Sequence, residues 1–191
     1  SNILRLYFNQ LDNFTRAITA SNGGSLITFP HIAASDTTDQ YATGNNTPTL
    51  VAWNTGESVS GFSLSAGAAI ADYSGVYKIT YSLQFANTDN AIHDAYVWLK
   101  VNGTNVDRST TDFSIPARKS AGVPTYVCGY SEAVFTVNAG DSIELYWATS
   151  NAATSGGTAG VYIFADPAQT VPYARPAIPS AIGSIIFVSA S

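Results

Sequence analysis

The chain has 191 residues, 46% of them hydrophobic and 12% aromatic, enough for one domain with a sizeable core. Only 11% are charged and the formal net charge is −5 with no basic stripe, which excludes phosphate neutralisation along a nucleic acid and points to a surface partly covered by neighbours. Cys128 is the sole cysteine, so no intrachain disulfide forms, and the longest aliphatic and aromatic run, Ile185 to Val188, is far too short to span a bilayer.

Residues 1–25 differ from the rest. "SNILRLYFNQ" lacks the uninterrupted apolar segment of a signal peptide, and a start at Ser1 without any Met reads as a whole protein whose initiator is removed. "LRLYF" alternates like a strand, "LDNFTRAIT" (11–19) has the pattern of a short turn or helix, and "SNGG" (22–25) breaks the chain. Arg5, Arg16 and Asp12 give this segment a net +1, whereas the remainder is −6. The reading is an arm that docks onto something else, followed by a domain over 26–191.

From residue 26 onward, period-2 apolar patterns separated by Gly, Asn, Asp, Ser and Pro clusters predict an antiparallel all-β sandwich. Strands are expected at 26–32, 49–53, 59–65, 76–87, 95–101, 126–137, 141–150, 160–165 and 181–190. In the long strand Tyr77, Ile79, Tyr81, Leu83 and Phe85 share the core parity, opposite Lys78, Thr80, Ser82 and Gln84. "VWLKVNGTNV" (97–106) places Asn102-Gly103 where a type I′ hairpin turn needs two positive φ values. "VNAGDSIEL" (137–145) turns at 138–140, and Ile143, Leu145 and Trp147 then form the next inward face. The last strand is apolar on both parities, Ile182, Ile186 and Val188 on one and Ile185 and Phe187 on the other, so it needs a cover on each side. The sandwich supplies one cover; a neighbouring subunit is the simplest second.

Residues that bear chemistry do not converge. With His31, His93 and one Cys, a zinc site would need carboxylates from separate loops. His93 and Asp94 are adjacent on an extended chain, point to opposite faces and cannot form a relay with each other. Asp89 and Asp94 lie in one loop that could hold calcium, but without EF-hand spacing. Cys128, between Val127 and Gly129, reads as a small core residue. The expectation is no enzyme, no metal and no cofactor. Trp147 is expected in the core, which leaves Trp98, on the parity opposite Val97 and Leu99, and the loop residue Tyr173 as possible glycan contacts.

Four stretches, "GVYKITYSLQFAN" (75–87), "VWLKVNGTNV" (97–106), "TVNAGDSIELYWATSN" (136–151) and "PAIPSAIGSIIFV" (176–188), resemble in their order the trimeric TNF/C1q-like jelly roll found in virion proteins of tailed bacteriophages, notably those of marine cyanobacteria. The resemblance covers roughly 26–190 and implies a jelly-roll β-sandwich that forms a homotrimer, its last strand near the threefold axis, with a structural or adhesive role. Tyr146, Ile185 and Phe187 are the expected intersubunit contacts. Fibre tips usually follow a long shaft, and this chain has only its arm, so the expected function is a capsid decoration or cement protein on the virion head, made in the host cytoplasm. The arm, through Leu4, Arg5, Leu6, Tyr7, Phe8 and Arg16, would reach the major capsid protein or another virion protein. The alternative is a receptor- or glycan-binding tip or component of a tail or head fibre, its partner a host surface glycan. Neither nucleic acid nor membrane insertion enters either reading.

Overall fold

The computed structural model describes residues 2–19 and 29–190. It opens with one helix, α1 (Asn2–Thr19). The strands that follow are β1 (His31–Asp36), β2 (Thr49–Leu50), β3 (Thr55–Ser60), β4 (Phe62–Ser65), β5 (Ala68–Ala71), β6 (Gly75–Asn87), β7 (His93–Val101), β8 (Thr104–Asn105), β9 (Thr111–Ile115), β10 (Thr125–Val137), β11 (Ser142–Thr149), β12 (Val161–Ile163) and β13 (Ala181–Ser189).

Two antiparallel sheets form the sandwich. The first runs β10-β6-β13-β1-β3, with β12 also pairing β6; the second runs β4-β5-β11-β7-β8, with β2 on β11 and β9 on β7. Consecutive strands pair as hairpins at β4-β5 and β7-β8, while others cross between sheets, as from β3 to β4. The turn after Val137, closed by Gly140 at φ +89°, carries the chain from β10 in the first sheet to β11 in the second.

Alternation in β6 decides where the core sits. Tyr77, Ile79, Leu83 and Phe85 are fully buried and meet Val97 and Leu99 of β7 and Ile143, Leu145 and Trp147 of β11 from the facing sheet. Each such side chain contributes about 1.5–3 kcal/mol on burial. The Asn102-Gly103 turn is present as expected, with φ values of +51° and +74° between β7 and β8.

The structure corrects several elements. "LRLYF" belongs to a helix, not a strand: its apolar residues continue at Leu11, Phe14 and Ile18, a spacing of three and four residues that only a helix brings to one side. The expected strand at 59–65 divides at Gly61, where a left-handed φ of +66° turns the chain, into β3 in one sheet and β4 in the other. Strands β5 (AAIA) and β9 (TDFSI) were not expected, because neither shows an apolar/polar alternation long enough to stand out. Cys128 is exposed rather than in the core, because it shares the parity of Tyr126 and Tyr130, which point away from the opposite sheet.

Candidate subunit interface

The outer face of the first sheet is built by the alternate residues of its strands. Because the registers are aligned, side chains lie in rows across the sheet: Tyr130–Ser82–Ile182, then Glu132–Thr80–Ser184–Ala33, then Val134–Lys78–Ile186–His31. The apolar members are exposed, Val134 at 62%, Tyr130 at 60%, Val188 at 54%, Ile186 at 48% and Ile182 at 45%. Between them lie polar groups that satisfy one another. Thr80 and Ser184 hydroxyls are 2.7 Å apart, and Lys78 Nζ sits 2.6 Å from Glu132. The hydrogen bond to Glu132 raises the Lys78 ammonium above its ordinary value. A groove of about 150 Å³, floored by Thr80, Ser82 and Ser184, separates Tyr130 from Ile182. An apolar relief of ridges and a groove, with its polar groups already paired, is suited to packing against another surface.

This face corrects the expected contacts. Ile185 is completely buried in the sandwich and cannot meet a neighbouring subunit. Phe187, on the same parity, is half-buried and packs edge-on against Tyr77 at 5.5 Å and stacks with Phe29 at 6.5 Å. The outward residues of β13 are Ile182, Ile186 and Val188. The cause is Trp53: its buried indole lies over Gly183, where an added Cβ would be 2.5 Å from Cζ2. The core parity of β13 therefore needs Ala181 and Gly183, and reads as the less apolar one. Sequence reasoning missed Ile182, Ile186 and Val188 for that reason, and a glycine inside an apolar strand was the available signal of a close approach.

Tyr146 lies on a different surface, the outer face of the second sheet. It sits beside Trp98, ring centroids 6.1 Å apart, with Lys100 Nζ 4.0 Å over its own ring. Trp98 donates its indole N–H to Asn105 Oδ1 at 3.0 Å. Tyr146 and Trp98 are thus brought together, while Ile185 and Phe187 are on the other sheet and Tyr173 is an exposed loop residue apart from both groups. In α1 Leu4, Leu6, Tyr7 and Phe8 are exposed, as is Arg5; the side chain of Arg16 lies outside the described residues.

The loops at one end form a second polar cluster. His93 Nε2 donates to Asp89 Oδ2 at 2.7 Å, Asn151 Nδ2 donates to the same oxygen at 3.3 Å, and Asn151 also donates to the Ala159 carbonyl at 3.2 Å. Asp89 is therefore committed to its neighbours rather than to a pair with Asp94. Ser150 Oγ lies 3.5 Å from His93 Nδ1, giving the order Ser-His-Asp, and the same oxygen accepts the Asp94 amide at 3.1 Å. The cluster joins the 87–94 loop to the segment after β11. No cluster of three or more metal-ligating side chains occurs among the described residues, and no described helix is long and apolar enough to cross a membrane.

The hydrogen bond from His93, followed by that from the Asn90 amide, lowers the Asp89 carboxyl below its ordinary value. A depressed carboxyl adds stability above its unfolded pKa and loses it as pH falls through the folded one. Acidification below about pH 4 should therefore loosen this clamp. Hydrogen exchange should show amides of 87–94 and 150–160 losing protection at pH 3 before those of β6; equal loss in both would contradict it.

Beside the clamp is a half-open pocket of about 390 Å³ lined by Tyr41, Tyr162, Arg118, Thr88 and the 154–159 turn. Tyr41 and Tyr162 stack at 5.1 Å, and Arg118 is steadied by donating to the Thr88 carbonyl at 3.2 Å. Burial first, with Asp39 adding, pushes the Tyr162 phenol up to about 12, so it remains protonated at physiological pH. Neither Trp98 nor Tyr173 lines this pocket.

No protein-family model matches the chain, and no curated protein sequence does. Among solved structures, it is similar to the structure of Eiger TNF from S. frugiperda, with a TM-score of 0.51 and 11% identity over 85% of this chain and 94% of that one. At that identity the likeness concerns the fold. The chain is an all-β protein with a TNF-like jelly roll, preceded by a helix.

Proposed function

We propose that this chain is a non-enzymatic structural protein of a tailed-phage virion, a homotrimer that decorates and cements the head shell. The observation that supports it most is the outer face of the first sheet, where Ile182, Ile186, Val188, Tyr130 and Val134 form an exposed apolar surface on a chain with few charges. Three copies around an axis would bury that surface against one another, and each 100 Å² of apolar area so removed from water is worth about 2.5 kcal/mol. The phage setting rests on the sequence resemblance of the four stretches above. Attachment to the shell falls to the N-terminal segment, with Leu4, Arg5, Leu6, Tyr7, Phe8 and Arg16 as its contacts. Cementing then consists of adding buried area across joints between capsid subunits.

The test is to localise the protein on virions by immunogold electron microscopy and to mix purified protein with undecorated heads. Many copies over the head, and co-sedimentation with heads, are expected. A second reading, a glycan-binding fibre component, is favoured by the pocket at Tyr41, Tyr162 and Arg118, which offers aromatic rings and a cation to a sugar. A few copies confined to a fibre, with no binding to heads, would replace the first reading with this one.

A further inference from the structure

We propose that α1 is one strand of a parallel helical bundle formed by copies of this chain, so that the N-terminal segment is a self-association element as well as an attachment arm. The inference rests on the trimer reading above and assigns a role to the face of the helix. Written as a heptad, the sequence of α1 puts Leu4, Leu11 and Ile18 at position a and Tyr7 and Phe14 at position d. Every core position is apolar. Positions b, c and f hold Arg5, Asp12, Thr19, Leu6, Asn13, Asn2, Asn9 and Arg16, polar with one exception.

Leu4 and Tyr7 of that seam are 60% and 68% exposed in a single chain, and the flanking Ile3 and Phe8 are 85% and 59% exposed. A lone helix of 18 residues is marginal in water, and one with this much exposed apolar surface has every reason to associate.

Two features favour the chain's own copies as the partner. First, in a parallel bundle of identical helices, residues at e and g face their counterparts, so a charge there would meet its like. Here e holds Phe8 and Thr15 and g holds Ile3, Gln10 and Ala17, with no charge among them. The charges are confined to b and f, which point outward. Second, Ile3 and Phe8 widen the apolar stripe beyond a and d, and flanking positions are buried more fully as strands are added, which suits three helices better than two.

Alone, a helix of about 27 Å is short for a coiled coil. Tethering supplies the remainder. If the first sheet's outer face holds three domains together, their helices, being part of the same chains, meet one another at a raised effective concentration. The outward positions, Arg5, Leu6 and Arg16 among them, would then be the ones presented to a capsid surface, and Leu4, Tyr7 and Phe8 would leave the set of capsid contacts proposed above.

The experiment uses the full chain in a Cys128→Ser background, with Leu4→Cys (position a) or Asn9→Cys (position f), oxidised and run on a non-reducing gel, alongside sedimentation equilibrium of the parent. A parallel bundle should cross-link Leu4→Cys at least tenfold faster than Asn9→Cys. A trimer by sedimentation with equal, slow cross-linking at both positions would overturn the helix inference and leave the sheet-face trimer standing. Preferential cross-linking at position 4 in a trimer that survives Ile182→Asp would do the reverse, and a parent that sediments as a monomer would overturn both. In a third measurement, Tyr7→Asp should lose the helical circular-dichroism signal while Asn9→Asp keeps it; equal signals from the two would also count against the bundle.

Discussion

Ile182→Asp is expected to leave the chain folded and to dissociate the proposed trimer, by at least roughly 100-fold in association constant. Ile182 is 45% exposed and lies between Ser82 and Ser35 in register, across the groove from Tyr130, so a carboxylate there stays hydrated in a single copy. Around a threefold axis three carboxylates would be brought together and desolvated, at a cost of several kcal/mol. Ile186→Asp should have the same direction but a smaller effect, because Lys78 and His31 flank that position in register and Lys78 can pair with the new charge. Ile185→Asp and Phe187→Asp should behave differently, destabilising the single chain, since their side chains lie inside the sandwich or against Tyr77. Light scattering separates these outcomes from unfolding when read beside circular dichroism. A trimer unchanged by Ile182→Asp would show that the outer face of the first sheet is not the subunit interface.

The second large effect belongs to Trp147. Its side chain is completely buried between the sheets, with Phe85 at 6.1 Å, and Trp147→Ala should cost about 3–5 kcal/mol because the well-packed layers close only partly over the space. At about 2–4 °C per kcal/mol for a domain of this size, the melting midpoint should fall by roughly 10 °C or more. Trp147→Phe should be far milder. The indole Nε1 is buried with no hydrogen-bond partner, so replacing it removes an unsatisfied donor while most of the apolar volume is retained. Thermal unfolding of the two variants would check this, and equal losses would mean that the N–H, not the ring volume, is what the core depends on.

The core was legible wherever a strand alternates against one buried face. Tyr77 to Phe85, the pair Val97 and Leu99, and Ile143, Leu145 and Trp147 announce their inward parity because the outward positions are polar. The Asn102-Gly103 turn was legible because the two φ values it needs are ones few other dipeptides adopt. The helix was missed by reading "LRLYF" on its own; its period emerges only over two further turns, at Leu11, Phe14 and Ile18. The polar clamp was out of reach for a different reason. Asp89 and His93 are near in sequence, but Ser150 and Asn151 reach them only because β7 and β11 pair along Ala95–Val101 and Ile143–Thr149.

What the sequence by itself determined is the all-β class, the composition of the core and the apolar character of both parities of β13. Which side of β13 faces the core was decided only by tertiary structure. Both parities are apolar, so strand periodicity cannot separate them. The choice falls to Trp53, remote in sequence, whose indole needs the space that Gly183 leaves open and so turns Ile182, Ile186 and Val188 outward. Cys128 follows the same logic: one residue of register places it on the outer face, and only the pairing of β10 with β6 sets that register.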